Sequence, residues 1–173
     1  MVRDAAFLPD EDSFGFAGRI RHHRVLRYSE VGLQRGAVDK KVAEHARDHG
    51  AIVLTRNVDD FLRVMRDAAE VSSHGDCQAM YCHEGGGLLT ISPTLDRFHF
   101  ERVTRELRLG EHAITWYEVY FLNLRVHVGA QEHVEVSILP ACERCLRLHM
   151  VDCGRCAELR LADLYAAQGV AAD

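Results

Sequence analysis

Ala51-Ile52-Val53-Leu54-Thr55, running straight into Arg56-Asn57-Val58-Asp59-Asp60-Phe61, is the stretch whose reading decides the fold. Its first four residues are apolar without alternation. A strand with one solvated face alternates apolar and polar residues, whereas an unbroken run suits a central parallel strand covered on both faces. Upstream, Val38, Val42, Ala43 and Ala46 recur at helical spacing, and Gly50 sits where a helix C-terminal cap belongs. Downstream, Thr55-Arg56-Asn57 makes a polar turn and 58–69 reads as another helix.

Working outward, Ala5-Ala6-Phe7-Leu8 reads as a short buried strand ended by Pro9. Ser13 to Arg24 is expected to hold a helix weakened by Gly15 and Gly18. Val25 to Tyr28 reads as a second strand, and Gly32 to Gly36 as a turn. On the other side, residues 72–86 form a loop and Leu88-Leu89-Thr90-Ile91 another strand. Ser92-Pro93 is expected to start a helix that runs to about Leu109. Residues 111–124 fit helix or strand, and Val126/Val128 with Val134/Val136/Ile138 alternate around Gly129 as a hairpin would.

Strand and helix thus alternate with short connections. The expected fold class is α/β: a mostly parallel sheet flanked by helices and joined by right-handed crossovers. The expected division is an α/β domain over 1–125, a hairpin or connector over 126–140, and a small zinc-binding segment with a C-terminal helix over 141–173.

Composition narrows the function classes. The hydrophobic fraction of 47% is that of a globular chain. No apolar run approaches the ~20 residues of a membrane helix. The acidic start, Met1 to Ser13, lacks the features of a signal peptide, so the expected location is the cytoplasm. Six cysteines in a reducing compartment point to metal ligands or buried thiols rather than disulfides. A formal net charge of −5 argues against indiscriminate nucleic-acid binding but permits a local basic strip.

Ligands of open α/β sheets bind beyond the carboxyl ends of the strands. Asp10, Glu11 and Asp12 follow the first strand, Glu30 the second, and Asn57, Asp59 and Asp60 the central one. Asp39, in a first helical turn, falls at the same edge. Clustered carboxylates raise one another's pKa, and Mg²⁺ or Mn²⁺ relieves that conflict. A cation there can activate water for phosphodiester cleavage. Each acid also has a plainer use: Asp39 as complement to a helix dipole, Asp10 and Asp12 as solvated turn residues, Asp59 and Asp60 as helix-start charges. The shared edge favours the site.

These residues resemble a known family. Phe7-Leu8-Pro9-Asp10-Glu11-Asp12, Glu30-Val31-Gly32-Leu33 with Asp39, the 52–61 segment, and His83 to Ile91 are together similar to the PIN-like domains, above all small toxin-like PIN proteins. The likeness spans roughly residues 5–110. It implies a metal-dependent ribonuclease with RNA as substrate, often the toxin of a toxin–antitoxin pair, so an antitoxin protein and a second copy of the chain are candidate partners. Asp10 would be the first metal carboxylate and Asp39 the second. For the third, counting from Thr55 gives Asn57 and Asp59, whereas counting back from Phe61 gives Asp60. Asn57 supplies a carbonyl but no charge. If that costs the metal, the fold becomes a degenerate RNA- or protein-binding module.

Of the 21 basic residues only Lys40 and Lys41 are lysines. Arginine suits phosphate recognition because its fork binds two oxygens. Arg19, Arg21 and Arg24 follow the first acids and Arg56 adjoins the third position, as substrate contacts or as a solvated face and an acid's counter-ion. Tyr28 and Phe61 are candidates for base stacking or for the core.

Cys142-x-x-Cys145 and Cys153-x-x-Cys156 are separated by seven residues. Two such knuckles bring four thiolates to tetrahedral Zn²⁺. The expected site is structural, and zinc would contribute about 10 kcal/mol to folding the segment. A PIN-like domain followed by these pairs is also similar to the RNase domain at the C-terminus of Mut-seven proteins. Cys77, Cys82, His74 and His83 form a weaker pattern, read as loop thiols or as a second metal site.

Overall fold

A computed structural model of the chain describes residues 5–64, 86–109, 111–121, 124–131 and 133–138. All six cysteines, with His74 and His83, lie outside the described residues. The elements are β1 (Ala6–Pro9), a 3-10 turn (Glu11–Ser13), α1 (Phe14–Ala17), a second 3-10 turn (Tyr28–Val31), α2 (Asp39–Asp48) and β2 (Ala51–Thr55). A helix, α3, covers 58–64. Then come β3 (Leu88–Ile91), α4 (Arg97–Arg105), β4 (Leu107–Leu109), β5 (His112–Ile114), α5 (Trp116–Phe121), β6 (Leu124–Val128) and β7 (Val134–Ile138).

Five strands form one sheet in the order β1-β2-β3-β6-β7, while β4 and β5 form a separate hairpin. The first four are parallel, and β7 returns antiparallel along β6. The chain is therefore α/β with a mostly parallel sheet flanked by helices. Side chains alternate across each strand. Phe7, Ile52, Leu54, Leu89 and Ile91 enter one core with Phe100 and Val103 of α4 and Trp116 and Val119 of α5. Leu8, Val53 and Leu88 enter the other with Val42, Ala43 and Ala46 of α2 and Phe61 of α3. Cover on both faces explains why 51–54 shows no alternation.

Three sequence expectations change. Only Phe14–Ala17 of the expected 13–24 helix is α-helical. Of the expected strand at 25–28, a single parallel bridge remains, Phe7 with Val25. The helix expected at Ser92-Pro93 begins at Arg97 instead. Asp96 caps it, its carboxylate accepting from the amides of Phe98 (2.6 Å) and His99 (3.3 Å), which satisfies two otherwise orphaned donors. It ends at Arg105 because Leu107 and Leu109 turn inward on either side of exposed Arg108, a strand pattern.

Two glycines are conformationally required. Gly50 closes α2 at φ 64°, in the left-handed region, as its position before β2 predicts. Gly87 has φ 84°, and a Cβ there would lie 3.1 Å from the Val119 carbonyl oxygen. A side chain there would have to press α5 back slightly and hold a left-handed backbone as well. Among the described residues, no helix is long and apolar enough to cross a membrane.

Candidate active site

The site forms where β1 and β2 end. Pro9 closes β1, yet Asp10 stays tied to the sheet, its amide donating to the Leu54 carbonyl at 2.8 Å. The Asp10 side chain therefore turns inward and is 8% exposed. A buried carboxylate needs donors. Tyr28 Oη donates to Oδ1 at 3.0 Å, and Thr55 Oγ1 lies 3.4 Å from Oδ2. Burial nevertheless holds the Asp10 carboxyl above the usual carboxylate range, and the charge of Asp12 pushes the same way. The Tyr28 phenol is itself pushed up, by burial and by the Asp10 charge.

Asp39 reaches the same place from the start of α2. Glu11 holds the loop before that helix, accepting the Gly36 amide through Oε1. The Asp39 carboxyl is half-buried and pushed up, first by burial and then by the charges of Asp10, Asp60 and Asp12. A helix N-terminus alone would lower an acid's pKa. Three carboxylates, two from the turn after β1 and one from α3, thus act on Asp39.

Asp60 stands in the first turn of α3. The Asn57 side-chain amide donates to its Oδ2 at 2.7 Å, and Arg63 lies 3.5 Å from Oδ1. The Asn57 backbone amide donates to Thr55 Oγ1 at 2.9 Å, so Thr55 links Asn57 to Asp10. Asp12 accepts the Ser13 hydroxyl at 2.7 Å and the Arg56 amide at 3.2 Å. Asp59 points elsewhere: it is exposed, and it is not among the charges acting on Asp10 or Asp39. Of the two adjacent acids, Asp60 is the one whose charge acts on Asp39. Among the described residues, no three His, Cys, Asp or Glu side chains converge closely enough to enclose an ion unaided.

The arginines divide into groups. Arg56 turns its guanidinium to the Pro93 carbonyl at 3.4 Å, beside the acids. Arg19 and Arg21 each lie 3.7 Å from Glu101 on α4. Arg24 pairs with Glu30 at 3.9 Å, and both are well exposed. Tyr28 and Phe61 are 8% and 0% exposed, so both rings belong to the core and neither is open to a base.

Sequence reasoning overlooked the hydroxyl pair that orients Asp10. Thr55 carried a usable signal, since a polar residue ending a fully buried strand is placed to touch whatever lies beyond it. Tyr28 carried none, because the loop that folds it onto Asp10 has no periodicity. No protein-family model, no curated protein and no solved structure matches the chain.

Proposed function

We propose that the chain is a divalent-metal-dependent endoribonuclease of PIN-like type, with Asp10, Asp39 and Asp60 as the metal carboxylates. The observation that carries this reading is the setting of Asp39, whose carboxyl at the mouth of a parallel sheet is raised first by burial and then by the charges of Asp10, Asp60 and Asp12. Such crowding is unfavourable in the metal-free protein and is relieved by a cation.

The donor set fits Mg²⁺ or Mn²⁺. All the donors are hard oxygens, and Mg²⁺ characteristically binds one or two carboxylates directly while water and phosphate fill its other positions. A closed protein cage is therefore not required. Bound there, the ion would lower the pKa of water and offset the charge of a phosphodiester. The chain's own residues do the rest. Tyr28 and Thr55 orient the oxygens of Asp10. Asn57 positions Asp60. Asp39 faces the same mouth from the start of α2 and would share the ion's charge with Asp10, while the proton of the attacking water passes to solvent. Hydroxide adds to phosphorus, the bond to the leaving ribose oxygen breaks, and solvent protonates that oxygen.

The test is cleavage of single-stranded RNA by purified protein with Mn²⁺. Asp10→Asn is expected to lower the rate at least 100-fold. Absence of wild-type cleavage, or undiminished cleavage by the variant, rejects the reading. The Asn57–Asp60 hydrogen bond favours a second reading, in which an amide holds the position a carboxylate would fill and the fold binds RNA without cutting it. Stable RNA binding with no turnover in Mn²⁺ distinguishes the two. Toxin activity and an antitoxin partner belong to the first reading. The four C-terminal cysteines are proposed to hold a structural Zn²⁺ in either case.

A further inference from the structure

The exposed face of α4 carries a feature the acidic site does not use. Phe98 is 75% exposed, the most exposed large hydrophobic side chain among the described residues. Exposing that much aromatic surface is unfavourable, and Phe7, Phe16, Phe61 and Phe100 are by contrast buried. The Arg19 guanidinium sits 5.6 Å from the Phe98 ring centroid, bracing one side of it. One turn further along α4, Arg19, Arg21 and Arg105 all approach the one carboxylate of Glu101, each at 3.7 Å. Three guanidiniums against one carboxylate leave two positive charges in excess, on a chain whose formal net charge is −5.

Positions 97, 101 and 105 recur every fourth residue and so form one stripe along α4. At the stripe's upper end Arg97 lies over Phe16 of α1, 5.8 Å from the ring centroid, and α1 begins directly after the Asp10–Asp12 turn. Arg56, whose amide binds Asp12, reaches Pro93 in the loop before α4. Basic groups thus run from the acidic mouth to the start of α4, where the exposed ring stands, and on down the helix to Arg105.

We propose that this stripe seats the single-stranded part of the RNA substrate, with Phe98 stacking on a base and Arg19, Arg21 and Arg105 holding flanking phosphates. The assignment rests on the nuclease reading for its substrate. Its ligand chemistry follows from the patch: an unpaired π-face beside excess guanidinium charge matches a strand that alternates flat bases with anionic phosphates. Duplex RNA hides its base faces and cannot use the ring. An acidic protein would use the charge and not the stacking.

The test is fluorescence anisotropy with the full chain in buffer free of Mg²⁺ and Mn²⁺ but without chelator, using a labelled oligouridine of about ten nucleotides. Without those ions the strand stays uncut, so binding is read apart from catalysis. Phe98→Ala is expected to weaken binding about ten-fold, with Phe98→Trp restoring it. Arg21→Gln with Arg105→Gln is expected to flatten the salt dependence by about two phosphate contacts. Both arginines are more than half exposed, so that double variant tests the proposal even where Phe98→Ala loses stability. Binding unchanged in these variants, equal dependence of duplex RNA on Phe98, or binding of polyglutamate with none of RNA overturns the proposal. Variant-sensitive binding without Mn²⁺-dependent cleavage sustains it and removes the nuclease reading; cleavage with variant-insensitive binding does the reverse.

Discussion

Tyr28 Oη donates to Asp10 Oδ1 across 3.0 Å, joining the turn after Arg27 to the end of β1. The bond favours the ionised acid, while burial opposes ionisation, and burial prevails. Tyr28→Phe keeps the ring in the core and removes only this donor. We expect the Asp10 pKa to rise further and the acid limb of the pH–rate profile to move to higher pH. Stability should change by only about 1 kcal/mol. An unshifted profile would mean that Asp10 does not govern the rate.

Asp39 ties pH to stability. Its carboxyl lies above the ordinary 3.8, as does that of Asp10. An acid whose pKa is higher in the folded chain keeps its proton there after the unfolded chain has lost its own. The folded state is therefore favoured below pH 3.8 and loses that advantage as pH rises through the folded-state value. In metal-free buffer, melting temperature should fall across that interval. Asp39→Asn should melt higher than the parent chain at neutral pH and no higher below the ordinary carboxylate range. Thermal scans across pH check both, and a lower melting temperature at neutral pH contradicts them.

Asn57 donates to Asp60 at 2.7 Å, so Asn57→Asp places a second carboxylate against the first. Like charges that close repel strongly. We expect the metal-free protein to melt a few degrees lower and Mn²⁺ to bind more tightly and protect more. Equal Mn²⁺ affinity in the two proteins would place the ion away from Asp60.

Much of the sheet was legible because its strands are short apolar runs between strong punctuation. Gly50 and Thr55 bound β2. Pro9 marks the end of β1, and Leu88–Ile91 is β3 at the bounds its apolar run gives. Helix starts were less legible, because Ser92-Pro93 and Asp96 are competing caps and only packing selects between them. Ser92 settles into a local turn, its hydroxyl 3.4 Å from the Thr94 amide. Within the site, Asp10 could be placed from the end of β1 and Asp39 from the start of α2. Separating Asp60 from Asp59 needed the first turn of α3, where adjacent residues point about 100° apart on the helix. Arg19 and Arg21 were legible as basic but not as partners of Glu101, a contact between distant segments.

The cysteine pairs make a compositional prediction independent of the acids. Protein purified without chelator should carry one Zn²⁺ per chain by elemental analysis. Cys153→Ser should lower that content and destabilise the segment, given the order of 10 kcal/mol that structural zinc supplies. Full zinc content in that variant would contradict a four-thiolate site.

Calorimetric titration of Mn²⁺ into the zinc-loaded chain, dialysed free of Mg²⁺ and Mn²⁺, tests most directly whether Asp10, Asp39 and Asp60 act as one cation site. The account predicts a single site on the parent chain, weakened at least ten-fold by Asp10→Asn and by Asp39→Asn, and unaffected by Asp59→Asn. No binding to the parent, or binding indifferent to Asp10 and Asp39, would contradict it.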